Sequence, residues 1–149
     1  MSKFTILFFS IICLSCTAQD SPPCQNIQMN ELSGTKWNLL DTGERVHIME
    51  FSDSMVNHLR INDNKRDTTV FYSTYYLSDE IPTVYDDSLV GKETCGCYIN
   101  VRSIKSRKIH TYRVVSMTDE LLTLYLYMDA PDNMYVGGVN HIWKYKRIE

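Results

Sequence analysis

The sequence predicts an all-β domain: an eight-stranded antiparallel up-and-down barrel behind an N-terminal export signal. Three observations carry that prediction. Residues 34–148 divide into eight strand-like segments with no convincing helix among them. Most of those segments show period-two alternation and are separated by short turn-forming stretches. All ten tyrosines fall from Tyr72 onward, among other residues that favour strands.

The chain opens as an export signal. Lys3 supplies a positive start, and residues 4–14 are an almost unbroken apolar run. That run suits a signal core and is too short for a stable bilayer span. Two processing routes fit. Cys16-Thr17-Ala18 is a small-x-small site with cleavage before Gln19, which makes residues 1–18 the signal. Leu14-Ser15-Cys16 also resembles a lipoprotein box, which makes 1–15 the signal and Cys16 the lipidated first residue. Either route takes the protein out of the cytoplasm, to the periplasm, the cell envelope or the medium. Residues 19–31 then form a linker, with Asp20-Ser21-Pro22-Pro23 as its least structured part. Within this segment, residues 25–32 fit either a short helix capping one barrel end or an extended tail.

Removing the signal leaves about 130 of the 149 residues, enough for one domain, 32–149, around one core. Loss of Lys3 takes the formal charge from −3 to −4. A mildly acidic chain has no general attraction for nucleic acid or anionic lipid. A membrane contact is therefore expected only through a lipid on Cys16.

The expected strands are 36–41, 45–51, 55–61, 68–78, 96–103, 109–117, 121–128 and 141–148. Short connections imply antiparallel pairing of sequence neighbours, and closure into a barrel removes exposed edges. Two connections are long, 79–94 and 129–140. Long connections in compact domains often serve as lids or binding loops.

Gly34-Thr35-Lys36-Trp37 opens the first strand, and Ile142-Trp143-Lys144-Tyr145-Lys146-Arg147 makes up the last. On these segments and the strand count, the chain resembles bacterial exported lipocalin-like domains. Those are eight-stranded barrels whose first strand carries Gly-x-Trp; here one extra residue separates Gly34 from Trp37. The resemblance implies that Trp37 closes the barrel floor beneath a basic side chain, Arg147 or Lys146. Together with the Tyr-rich strands and long connections, it points to non-catalytic binding of a small apolar or amphipathic ligand. The alternative is an envelope protein-interaction or inhibitor module with a filled barrel and functional loops, its protein partner unknown.

The candidate ligand-wall residues are Trp37, Phe71, Tyr75, Tyr125, Tyr127, Trp143 and Tyr145. Phe71 and Tyr75 share one face of their strand, and Tyr72 and Tyr76 the other. Tyr125 and Tyr127 share a face opposite Leu122, Leu124 and Leu126. Trp143 and Tyr145 are expected to point inward, against Lys144 and Lys146. Such side chains either fill a small barrel or leave a cavity for one small ligand, and the sequence leaves both outcomes open.

Cys24, Cys95 and Cys97 are the disulfide candidates. Cys95 and Cys97 lie two apart, so on a strand they share a face and bridge each other only with strain. The simplest expectation joins Cys24 to one of them and leaves the other thiol free. A Cys-x-Cys metal site is the alternative, but it lacks a second ligand pair. His47, His58, His110 and His141 lie in separate segments without ligand spacing, so no shared site is expected. Asp79, Glu80, Asp86 and Asp87 crowd one connection without calcium-loop spacing. No serine sits in a Gly-x-Ser-x-Gly turn. Lys105-Ser106-Arg107-Lys108 lacks interleaved aromatics and reads as a solvated turn rather than a nucleic-acid surface. The sequence therefore calls for no catalytic residue, no metal and no cofactor.

Overall fold

The computed structural model describes residues 23–40, 45–62, 67–127 and 142–148. The expected export signal, Cys16 and the connection 129–140 lie outside the described residues. In chain order the elements are β1 (Ile27–Gln28), α1 (Met29–Leu32), β2 (Lys36–Leu39), β3 (Arg45–Phe51), β4 (Met55–Asn62), β5 (Asp67–Ser78), β6 (Cys95–Gly96), β7 (Tyr98–Ser103), β8 (Ile109–Met117), β9 (Leu121–Tyr127) and β10 (Ile142–Arg147). All but β1, α1 and β6 are strands of one closed barrel. Each barrel strand pairs antiparallel with its sequence neighbour, and β10 closes onto β2 with Arg147 opposite Trp37. The up-and-down barrel expected from the sequence is thus the fold, with strand limits shifted by a residue or two.

One expected strand, 96–103, is broken at Cys97. Gly96 pairs with Ile27 in a small β1–β6 ribbon, and β7 begins only at Tyr98. Gly96 adopts φ 149°, and a Cβ there would stand 2.1 Å from the Ser78 carbonyl carbon. Only glycine fits so close to a neighbouring backbone, and the strand breaks there.

The up-and-down path gives the barrel two distinct ends. At one end the inward positions are packed solid. Trp37, Met49, Phe51, Val56, Tyr75, Ile99, Val114 and Leu122 are all essentially buried and form one cluster. Each such side chain contributes about 1.5–3 kcal/mol on leaving water. Trp37 lies at the centre of this floor. Its indole N–H donates to the Thr35 hydroxyl at 2.7 Å, and the Arg147 guanidinium sits 5.7 Å from its ring centroid. Arg147 rather than Lys146 therefore covers the tryptophan; Lys146 is exposed on the outer side of β10.

The segment before the barrel is a cap, not a tail. Ile27, Met29 and Leu32 are buried in the same cluster as the floor. Gln25 fastens the cap to the end of β8: its backbone N–H donates to the Val114 carbonyl at 2.8 Å, and Met117 N–H donates to its side-chain oxygen at 2.7 Å. A Cys24–Cys97 disulfide ties the cap to the start of β7, and Cys95 is left as an exposed free thiol. Gly34, at φ 76°, turns the chain from α1 into β2, a left-handed conformation that glycine adopts without strain.

The connection 79–94 is not a lid. β5 runs from mouth to floor, so its exit at Ser78 lies at the end away from the mouth. From there the chain straps the outer wall. Tyr85 packs edge-on against Tyr76 with ring centroids 5.0 Å apart, and Arg102 stacks 4.4 Å over Tyr85 while pairing with Asp87. Tyr76, on the outer face of β5, is buried by this strap. Thr94 completes the attachment, its hydroxyl accepting from Leu77 N–H at 3.0 Å and its carbonyl from Met29 N–H at 3.0 Å.

Candidate functional site

Toward the other end the packing opens into a cavity of about 200 Å³. The inward period-two positions of successive strands supply its walls. β3 contributes His47; β4, His58 and Arg60; β5, Phe71 and Ser73; β7, Val101 and Ser103; β8, His110 and Tyr112; β9, Leu126; and β10, Trp143. Every one of these continues the inward face of a strand whose floor half is apolar. His47 precedes Met49 by two residues, His58 follows Val56 by two, and Tyr112 precedes Val114 by two. The barrel is therefore both things the sequence allowed: a filled lower half and a hollow upper one.

The polar groups converge. In the β3–β4 pairing His47 lies opposite Arg60, and Met49 lies opposite His58. The His58 Nδ1 and His47 Nε2 atoms stand 3.4 Å apart, with the rings stacked at 5.6 Å. Burial, and next the Arg60 charge, lowers the His47 pKa to about 4. Burial also dominates for His58, lowered to about 3, with His47, Arg60 and His110 adding to it. His110 is lowered as well, by burial first and then by Lys108. At neutral pH the three rings are uncharged, each offering one donor and one acceptor. Arg60 is then the fixed charge of the site. Its guanidinium lies 5.1 Å from the Phe71 ring centroid, and no carboxylate among the described residues pairs with it.

Two tyrosines form the base of the cavity. Burial pushes the Tyr112 hydroxyl up to about 12. Tyr145 lies just beneath, fully buried and edge-on to His47 at 6.2 Å. Its hydroxyl has no hydrogen-bond partner among the described residues, and burial followed by the nearby Tyr112 raises its pKa. A buried donor without a partner costs about 1–3 kcal/mol.

The seven aromatic candidates divide sharply. Phe71 and Trp143 line the cavity, and Tyr145 lies under it. Trp37 and Tyr75 belong to the floor; Tyr75 is fully buried, with its hydroxyl donating to the Ser52 carbonyl at 2.7 Å. Tyr125 stands on the outer face of β9, because Leu122, Leu124 and Leu126 take the inner one. The register fixes this, because Leu124 pairs with the inward Val114 of β8 and the inward Trp143 of β10. The Tyr127 side chain and the whole of His141 lie outside the described residues.

The histidines were the larger omission. Separate strands and the lack of local ligand spacing argued against a shared site, yet His47, His58 and His110 line one cavity. Their alternation parity is the signal that finds them. Among the described residues no three metal-ligating side chains are grouped to hold an ion. A larger, more open groove of about 430 Å³ runs between the cap and the strap, bordered by Asn30, Ser33, Asp53 and Lys92.

No protein-family model, curated protein or solved structure matches the chain. The site has to be read from its own residues.

Proposed function

We propose that this protein is an exported, lipocalin-like barrel that binds one small apolar or amphipathic molecule at its mouth, without catalysis. The observation that carries the reading is the cavity above the solid floor. Phe71, Val101, Leu126 and Trp143 give it apolar walls, and a few polar groups converge on the same space. Such a mixture of apolar wall and few polar groups is the usual make-up of a small-molecule site. The volume lies below the roughly 300–1,000 Å³ of drug-sized sites, so the ligand is a single ring or a short chain. The Cys24–Cys97 disulfide suits an oxidising compartment, in keeping with export to the periplasm, the envelope or the medium.

Native mass spectrometry of protein purified from its own envelope fraction tests this reading. A small bound species, with Trp fluorescence that responds when it is removed and returned, is the expected result. Protein that carries nothing, and whose fluorescence ignores a panel of small lipids and aromatics, would count against it.

A second reading, a protein-interaction module, is favoured by one feature. Val70, Phe71, Tyr72 and Ile104 are exposed together beside the mouth, around a hollow of about 120 Å³. It predicts a partner captured by the wild-type protein and lost from a Tyr72→Ser/Ile104→Ser variant.

A further inference from the structure

We propose that the ligand of the mouth cavity is a small organic acid, bound with its carboxylate against Arg60 and the His47–His58 pair. This rests on the barrel being a small-molecule binder and names the class of molecule.

Four features of the cavity point to an anion. Arg60 reaches its mouth with no carboxylate partner among the described residues, its flank resting on the Phe71 ring. A guanidinium presents a planar fork of donors matched to a carboxylate. The wall beside it is rich in groups able to donate: His47, His58, His110 and the Ser73 and Ser103 hydroxyls all border the same space. Among the described residues, the cavity lining contains no acidic side chain. Beneath lies the Tyr145 hydroxyl, fully buried and without a partner among the described residues, within the electrostatic reach of both Tyr112 and Arg60. Among these donors, Val101, Leu126 and Trp143 supply apolar surface for the rest of the molecule.

A free metal cation fits the cavity poorly. Arg60 lies directly across the pairing from His47 and would repel it, and among the described residues the histidines form no ligand trio with a third group. A neutral apolar molecule gains nothing from the Arg60 charge. An acid uses it together with the apolar residues of the lining.

The test pairs acids with alcohols of the same shape: benzoate against benzyl alcohol, and hexanoate against hexanol. Binding to the mature, disulfide-bonded protein is followed by calorimetry and by the fluorescence of Trp143, with Trp37→Phe used to isolate that signal. The acids should bind at least ten-fold more tightly than their alcohols, a preference of about 1.4 kcal/mol. Arg60→Gln should abolish the preference by weakening acid binding far more than alcohol binding, and Arg60→Lys should restore part of it. Arg60 is exposed at the rim, so these variants keep the floor intact; circular dichroism confirms it. Equal binding of acids and alcohols would overturn the acid assignment and leave the small-molecule reading standing. Failure of both series at millimolar concentration would overturn the two together. A preference for acids that survives Arg60→Gln would overturn the role given to Arg60.

Discussion

Replacing Cys24 and Cys97 together with serine cuts the covalent tie between the floor cap and the start of β7. The two residues lie 73 positions apart, with a Cα–Cα distance of 5.7 Å. In the chain-entropy model, closing a loop of that length removes about 4 kcal/mol of conformational freedom from the unfolded state. The folded state adds to this. Without the tie, Gln25 and the buried Ile27, Met29 and Leu32 hold the cap only by hydrogen bonds and packing, so the cap frays more readily. Guanidinium unfolding of the oxidised wild type and the double variant measures the difference. The expected loss is about 4 kcal/mol, or about 12–16 °C in melting temperature for a domain of this size. Cys95→Ser is the control: Cys95 is exposed and unbridged, and its loss should stay within about 0.5 kcal/mol. A double variant that loses less than about 1 kcal/mol would refute the argument, as would a control that loses as much.

Acidification should weaken the fold before the carboxylates titrate. His47 and His58 have folded pKa values lowered to about 4 and about 3, against about 6.5 when unfolded. Between these limits the unfolded chain binds more protons, so stability is full above pH 6.5 and falls as pH drops toward 4 and then 3. The ceiling is about 2.7 kcal/mol per pH unit for the two rings, and the open mouth screens it to roughly half. Urea titrations at pH 7, 6 and 5 read this slope; a flat profile would contradict it. Gly96→Ala should destabilise by about 3 kcal/mol or more, because its Cβ would overlap the Ser78 carbonyl in a backbone conformation alanine avoids. Thermal denaturation within 2 °C of wild type would show that the ribbon relaxes instead. Trp37→Ala should cost about 3–5 kcal/mol as a buried large-to-small change. Chemical denaturation checks it, with Arg147→Gln expected to cost much less because it leaves the indole packed.

The strands were readable because each alternates and ends in a turn, and because closure joins the only two edges left. The floor position of Trp37 was implied by the resemblance that Gly34 and Trp37 carry, not by their spacing. The ends of the barrel were also readable, by counting. In an up-and-down barrel, connections alternate between ends, so 79–94, after the fourth barrel strand, must leave from the floor. Length alone had suggested a lid or a binding loop. Which face of β9 turned inward was harder. Tyr125 and Leu124 sit on opposite faces with equally regular spacing, and only the register with Val114 and Trp143 decides it. The site was illegible for a related reason: His47, His58 and His110 are 11 or more residues apart, and strand pairing and barrel closure, not local spacing, bring them together. Nothing in the sequence states that the lower half of the interior is full and the upper half hollow, because that depends on summed side-chain volumes.

Both described ends of the chain meet at the floor. Cys24 is tied in beside β7, and Ile148 N–H donates to the Lys36 carbonyl at 2.9 Å next to Trp37. The cavity faces the other way. A group attached next to Cys24 or Ile148 would therefore start from the floor end, on the side away from the cavity. The same geometry makes immobilisation through either end a sound format for measuring exchange.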